Sequence, residues 1–227
     1  MNLHRSTVSR LHVFDMDGTL LRGTATIELA RQLGNLEVGE EIERQWGEGS
    51  ISDDDFWLKL LEICGNATDA DLKAAFDNAP WMDGIEQTFA AIKAQGEDVI
   101  VISQSPTFFV KGLTLLGAAE AHGSTVEIGQ PLASSATLMP MAKVTITASA
   151  LAARNLSPAD CVVYGDSSSD MELFRTFPNS VAVNATPALA SLAAARYVGT
   201  DIREAYALGR QLVSRTETQQ IAQRSAN

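Results

Sequence analysis

Asp15-Met16-Asp17-Gly18-Thr19-Leu20 sets two carboxylates two residues apart at the end of an apolar run, and the alternation of an extended chain aims both toward the same side. Two like charges so close need a cation or a shared proton. A carboxylate is anionic at neutral pH without a helper base, so it can attack phosphorus directly and form an aspartyl phosphate. Its repulsion with a phosphate dianion is relieved by a hard divalent cation such as Mg²⁺. The second carboxyl can then protonate a leaving alkoxide and later deprotonate the attacking water. Taken alone, an Asp-Gly pair is ordinary turn chemistry.

Further residues suit the same chemistry. Gly165-Asp166-Ser167-Ser168-Ser169-Asp170 closes a second apolar run with two acids four apart, a spacing that aligns them if a helix begins there. Asp166 is the natural second protein ligand for a cation, or else a helix cap, and the serines could cap the same helix. Ser103, in Ile102-Ser103-Gln104-Ser105-Pro106, ends a third run just before an expected helix. A hydroxyl and the free N–H groups of a helix N-terminus suit a phosphate oxygen, although Ser and Pro are also common at helix starts. Lys143 opens a long helical stretch and could serve a phosphoryl group as a point charge; a lysine there is otherwise a surface residue.

Elements must bring these residues together. Leu11–Phe14, Asp98–Ser103, Cys161–Asp166 and Ser180–Asn184 are short β-rich runs that end in small or acidic polar residues, as buried parallel strands do. Helical spacing fills Gly84–Gln95, Pro106–Leu116, Val144–Arg154 and Pro187–Ala195. Alternation of this kind predicts an α/β fold with a doubly wound, mostly parallel sheet. Ligands of such sheets bind outside the carboxyl ends of the strands, where all the residues above would lie. Thr24 to Pro80 breaks the alternation and reads as an inserted α-helical cap (24–80), leaving 1–23 and 81–227 as the core.

The 227 residues carry a net charge of −11, with 45% hydrophobic and 20% charged residues, which fits an ordinary globular protein with a sizeable core. That acidity, without a basic stripe, argues against nucleic acid as a partner. Cys64 and Cys161 are far apart among apolar neighbours and are expected to be reduced, buried thiols. Met1–Arg10 is polar, and no apolar stretch approaches a membrane span or a signal-peptide core, so no membrane partner and a cytoplasmic location are expected. Nine acids against two basic residues between Asn35 and Glu62 are expected to be mainly a solvated face. The polar tail after Ser214 is expected to fray.

With these residues in view, the sequence resembles the haloacid-dehalogenase superfamily of phosphohydrolases, in which four motifs follow in this order at strand ends. Asp15-Met16-Asp17-Gly18-Thr19-Leu20 looks like the first, Ser103 the second, Lys143 the third and Gly165–Asp170 the fourth; Val183-Asn184-Ala185-Thr186-Pro187 resembles the stretch that follows the fourth. The helical insert and Ile102–Pro106 look most like the phosphoserine-phosphatase-like branch. The resemblance implies a haloacid-dehalogenase-like core under a helical cap, with Asp15 as nucleophile, Asp17 as acid and base, and Ser103 and Lys143 clamping the phosphate. It also implies Mg²⁺ held by the Asp15 carboxylate, the Asp17 backbone carbonyl and Asp166, with Asp170 assisting. True dehalogenases lack the acid at the position of Asp17, so phosphoryl chemistry is expected.

Phosphoserine phosphatases of that branch place a glutamate nine residues after the nucleophile, where this chain has Thr24, and carry a cap arginine that is missing from Phe56–Ile63. The expected substrate is a small phosphomonoester, with phosphoserine a poor one. Leaving-group recognition then falls to residues of the cap and beside the motifs: Thr24, Glu28 and Gln104, with Trp46 and Trp57 as candidates that could equally be cap packing. A phosphotransferase or mutase using the same phosphoaspartate is the alternative, and a non-catalytic phosphate-binding module a remoter one. The oligomeric state, monomer or homodimer, is left open.

Overall fold

The structure is a computed structural model that describes residues 8–133 and 135–225, with side chains described as far as residue 213. Six strands form one sheet in the order β3-β2-β1-β4-β5-β6: β1 (Leu11–Phe14), β2 (Asp98–Pro106), β3 (Glu120–Ser124), β4 (Cys161–Gly165), β5 (Asn179–Val183) and β6 (Ala195–Tyr197). Every pairing is parallel, with Leu11 opposite both Asp98 and Cys161. The chain runs outward from β1 to β2 and β3, then returns to its other side for β4, β5 and β6. The strand order therefore reverses beside β1, which makes its carboxyl end the ligand crevice.

The inner strands are largely apolar on both faces because both faces are covered. Leu11, Val13, Ile100, Ile102 and Val163 pack with Ala150, Leu151, Leu173 and Phe174, from α7 (Pro140–Arg154) and α8 (Met171–Thr176). Phe14, Val99, Val101, Val162 and Tyr164 face the other way, against Phe89 of α5 (Ile85–Ala94) and Ile202 and Ala205 of α10 (Ile202–Ser225). Burying one such branched side chain contributes roughly 1.5–3 kcal/mol.

Between β1 and β2 lie four helices, α1 (Ala25–Gln32), α2 (Leu36–Gly47), α3 (Asp53–Ile63) and α4 (Asp69–Asp77), ahead of α5. The two chain segments that join this insert to the sheet pair with each other: Met82 N donates to Leu20 O at 2.8 Å and Arg22 N to Pro80 O at 3.0 Å. Leu29, Trp57, Leu60, Cys64 and Phe76 of the insert share one continuous core with Phe14, Phe89 and Phe109. Part of its acidity is capping chemistry, since Asp55 N donates to Ser52 Oγ and Asp71 N to Thr68 Oγ1 while each carboxylate accepts from the same hydroxyl.

Several elements differ from expectation. β2 continues three residues past Ser103, and the helix expected over Pro106–Leu116 is only α6 (Thr107–Val110) followed by a 3₁₀ turn at Lys111–Thr114; the β-branched run Val99–Ile102 carries the chain forward, and Pro106 at φ −60°, ψ 135° holds it extended. β3 and β6 are additional strands, one polar and one three residues long, both at sheet edges. Pro187–Ala195 is a four-residue α9 (Pro187–Ala190) leading to β6. The tail expected to fray runs as helical backbone to Ser225. Residues 1–7 of the polar N-terminal stretch lie outside the described residues. Cys64 and Cys161 are free and buried, and burial raises both thiol pKa values. No described helix is long and apolar enough to cross a membrane.

Candidate active site

β1 delivers Asp15 directly beyond its last residue, and Asp15 N still donates to Tyr164 O of β4 at 2.9 Å. The chain then curls tightly, with the amides of Leu20 and Leu21 both reaching Met16 O at 2.8 Å. Gly18 sits in that curl at φ +72°, and a Cβ there would fall 2.1 Å from Asp166 Oδ2. A larger residue would therefore push Asp166 away from Asp15 as well as straining the backbone.

Asp15, Asp166 and Asp170 converge, each offering one carboxylate oxygen within 4.8 Å of the others. Lys143, in the first turn of α7 and 1% exposed, crosses under them, with Nζ 2.9 Å from Asp15 Oδ1, 2.7 Å from Asp170 Oδ1 and 3.0 Å from Ser169 Oγ. The other Asp170 oxygen accepts from Asp166 N at 3.1 Å, so this residue locks the lysine and the 166–170 turn together. Burial, then the neighbouring Asp170 charge, raise the Asp15 pKa well above the usual carboxylate range despite Lys143. Asp166 is pushed up to about 7 by the same two causes. Burial opposes the Lys143 charge, but Asp15 and Asp170 hold its pKa above the ordinary lysine value.

Three acids with one lysine leave a surplus of negative charge, and Asp166 Oδ1 is buried with no hydrogen-bond partner. Buried polar atoms of this kind are rare without a ligand. An all-oxygen donor set that crowded fits a hard divalent cation. Asp166, Asp15 and Asp170 are the side chains that could hold it.

Asp17 is turned elsewhere. Its Oδ2 accepts from Ser103 Oγ at 2.8 Å and Ser105 Oγ at 2.7 Å, and its Oδ1 from Ala25 N at 2.8 Å. Burial raises its pKa against those hydrogen bonds. Two aspartates two residues apart thus have different surroundings: the Asp17 carboxylate stands outside the metal-type cluster, where the resemblance placed only the Asp17 backbone carbonyl. A buried carboxyl group held by two hydroxyls, beside a second one paired with a lysine, is suited to proton transfer.

Ser103 is wholly buried beside Asp17, α6 has too few turns to offer the helix terminus expected after it, and Ser105 N donates to Ser103 Oγ at 3.0 Å. Lys143 is buried, not a surface residue. The Val183–Pro187 stretch braces the fourth motif, since Thr186 N donates to Asp166 O at 2.9 Å.

A cavity of about 550 Å³ opens over these groups and reaches the helical insert. Thr24, Gln104, Trp46 and Trp57 line it. Gln104 Nε2 also donates to Leu138 O at 3.0 Å, holding the loop before α7. Glu28 is not brought to its wall; the carboxylate takes Arg31 Nε at 3.2 Å along α1, the ordinary fate of an acid one turn from an arginine. Glu43 is the residue the sequence hid. Counted within the acidic face, it turns into the cavity instead, accepting from Thr24 Oγ1 at 2.7 Å. Negative charge absent at position 24 therefore arrives from α2. Ser105, Phe56 and Met139 were likewise missed, none having a local sequence signal.

The sequence pattern of the haloacid dehalogenase-like hydrolases matches residues 12–175. A phosphoserine phosphatase of Idiomarina loihiensis is 23% identical over 190 residues, covering 82% of this chain and 86% of its own. A substrate-bound phosphoserine phosphatase superposes with a TM-score of 0.71 at 24% identity, covering 86% of this chain and 96% of its own. A phosphoserine phosphatase solved as a phospho-aspartyl intermediate analogue gives 0.70 at 22% identity, covering 87% and 97%. At these identities, the structural likeness speaks for the shared fold.

Proposed function

Because this chain belongs to the haloacid dehalogenase-like hydrolases, matched over residues 12–175, and carries the acid at position 17 that goes with phosphoryl chemistry, we propose that it is a Mg²⁺-dependent phosphatase of a small phosphomonoester. The observation that carries this is the separation of Asp15 and Asp17 into a lysine-compensated carboxylate and a buried, hydroxyl-bonded one. On this reading, the insert 24–80 caps a core made of 1–23 and 81–227, the substrate enters between them, and the protein works in the cytoplasm.

Asp15 attacks phosphorus, its Oδ–P bond forming as the P–O bond to the alcohol breaks. Asp17 gives its proton to the departing oxygen. Asp17 then takes a proton from water, whose oxygen attacks the phosphoaspartate, freeing Asp15 and inorganic phosphate. Lys143 and Ser103 hold the phosphoryl oxygens through the transfer, and the Lys143 charge favours the ionised form of Asp15 against its burial. A bound Mg²⁺ supplies the charge that lets a carboxylate approach a phosphate dianion; Asp15, Asp166 and Asp170 would hold it.

The test is phosphate release from a panel of phosphomonoesters, with Mg²⁺ and with excess chelator, by wild type and Asp15→Asn. Release that needs the metal and vanishes in a folded Asp15→Asn protein is expected. Wild-type release by that variant, or undiminished release in chelator, overturns the mechanism. Labelled water separates hydrolysis from transfer to a second alcohol, because only hydrolysis places its oxygen in the phosphate.

A further inference from the structure

Beyond the residues that face the phosphoryl group, the cavity wall is aromatic and acidic. Trp46, Phe56 and Trp57 line it and touch one another, with ring centroids 5.3 Å apart for Trp46–Phe56 and 5.7 Å for the edge-on Phe56–Trp57 pair. Two carboxylates line the same space. Asp53 Oδ1 accepts from Trp46 Nε1 at 2.8 Å, fixing that ring. Glu43 is held by Thr24 at 2.7 Å and has no ion-pair partner among the described residues. No lysine or arginine is among the described residues lining the cavity.

Aromatic faces attract cations, and a half-buried carboxylate without a counter-ion is costly until something supplies one. A leaving group bearing its own carboxylate would meet Glu43 and Asp53 with no cation to offset them. An uncharged leaving group would use the rings and leave the half-buried Glu43 uncompensated, Asp53 being exposed to solvent. We infer that the leaving group is an amino alcohol: the substrate is a phosphomonoester whose alcohol carries an ammonium group and no carboxylate, seated among Trp46, Phe56, Trp57, Glu43 and Asp53. The inference rests on the phosphatase function proposed above. The bonds made and broken are those already given, the departing oxygen being that of the amino alcohol, which takes its proton from Asp17.

The test compares kcat/KM for choline phosphate and ethanolamine phosphate with that for the uncharged dimethylbutyl phosphate in which carbon replaces the choline nitrogen, with phosphoserine and nitrophenyl phosphate alongside. Wild type should prefer at least one ammonium ester over the uncharged isostere by about tenfold or more, the scale of a charge and cation–π contact. Which of the two is preferred tells methylated from primary ammonium. Glu43→Gln should bring that ratio toward one, and Trp46→Leu, at a ring 42% exposed, should lower it if Glu43→Gln does not fold. An isostere or phosphoserine handled as well as both ammonium esters overturns the inference, as does a ratio untouched by either variant. If no ester is hydrolysed, nitrophenyl phosphate included, the phosphatase function has failed. Tryptophan fluorescence titrated with choline against dimethylbutanol then decides: saturable quenching by choline alone, weakened in Glu43→Gln, supports an ammonium site, and its absence overturns one.

Discussion

Lys143 Nζ stands 2.9 Å from Asp15 Oδ1, with both side chains almost wholly buried. The same ammonium reaches Asp170, so one cation offsets two carboxylates that would otherwise repel across the site. Lys143→Met keeps the stem and removes the charge. Removing one partner of a buried ion pair costs about 3–5 kcal/mol, so the apparent Tm should fall by several degrees and kcat by about 10²-fold or more. Added Mg²⁺ should recover part of the lost Tm, since a cation near Asp15 and Asp170 replaces some of the missing charge, but little of the turnover. A variant with wild-type Tm and kcat would show that the pair does neither job.

Asp17→Asn has one acceptor oxygen where Asp17 uses two, so it can accept from the Ser103 and Ser105 hydroxyls or from Ala25 N but not from both sides, and it cannot give or take the proton. For an alkyl ester the rate should fall by roughly 10²- to 10⁴-fold. The loss should be much smaller for nitrophenyl phosphate, whose oxygen leaves with little help. Steady-state kinetics on both esters check this, and equal losses would contradict the acid role.

Most of the core was legible because chemistry and topology reinforce each other there. Asp15, Ser103 and Asp166 end or follow apolar runs, and a parallel sheet must gather such ends. β3 escaped because Glu120-Ala-His-Gly-Ser has an edge strand's polarity, and edges need no apolar alternation. Glu43 escaped for another reason. It stands among acids on α2, and only the packing of α2 against α1, with Thr24 offering a hydroxyl, distinguishes it from its solvated neighbours. Glu28 erred in the opposite direction, since proximity in sequence to Thr24 says nothing about a helix face.

Gly18 links two motifs physically. Its φ of +72° lies in the left-handed region, and an added Cβ would stand 2.1 Å from Asp166 Oδ2 and 2.5 Å from Asp166 Cγ. Gly18→Ala should lose about 1–2 kcal/mol from backbone strain and displace Asp166. The Mg²⁺ concentration for half-maximal activity should rise about tenfold or more, the scale of disturbing a metal's immediate surroundings, while saturating Mg²⁺ restores part of kcat. Activity titrated against Mg²⁺ checks it; an unchanged midpoint would show that Asp166 does not hold the metal.

His12 lies within β1, three residues before Asp15 and outside the cavity lining, with Nε2 2.9 Å from Glu97 Oε2 and Nδ1 3.1 Å from the Tyr164 hydroxyl. Those partners suit a neutral ring that donates to Glu97 and accepts from Tyr164. Burial lowers the His12 pKa more than Glu97 can raise it. Glu97 is itself held below its ordinary value: burial opposes its charge, but hydrogen bonds from His12 and Arg210 outweigh it. As pH falls through about 6.5, the unfolded histidine takes a proton that folded His12 refuses, so stability declines. The Glu97 contribution is present above its unfolded pKa and is lost further down, as pH falls through its lower folded value. The buried acids Asp15, Asp17 and Asp166 titrate with raised pKa values and push stability the opposite way on acidification. Subtracting the curve of a His12→Gln variant removes that shared contribution. The wild-type minus His12→Gln difference, from urea unfolding at pH 7.5 to 5.5, should fall with a slope of up to about 1.4 kcal/mol per pH unit, the limit for one proton. A flat difference across that window would mean that folded His12 takes up its proton as readily as the unfolded chain does.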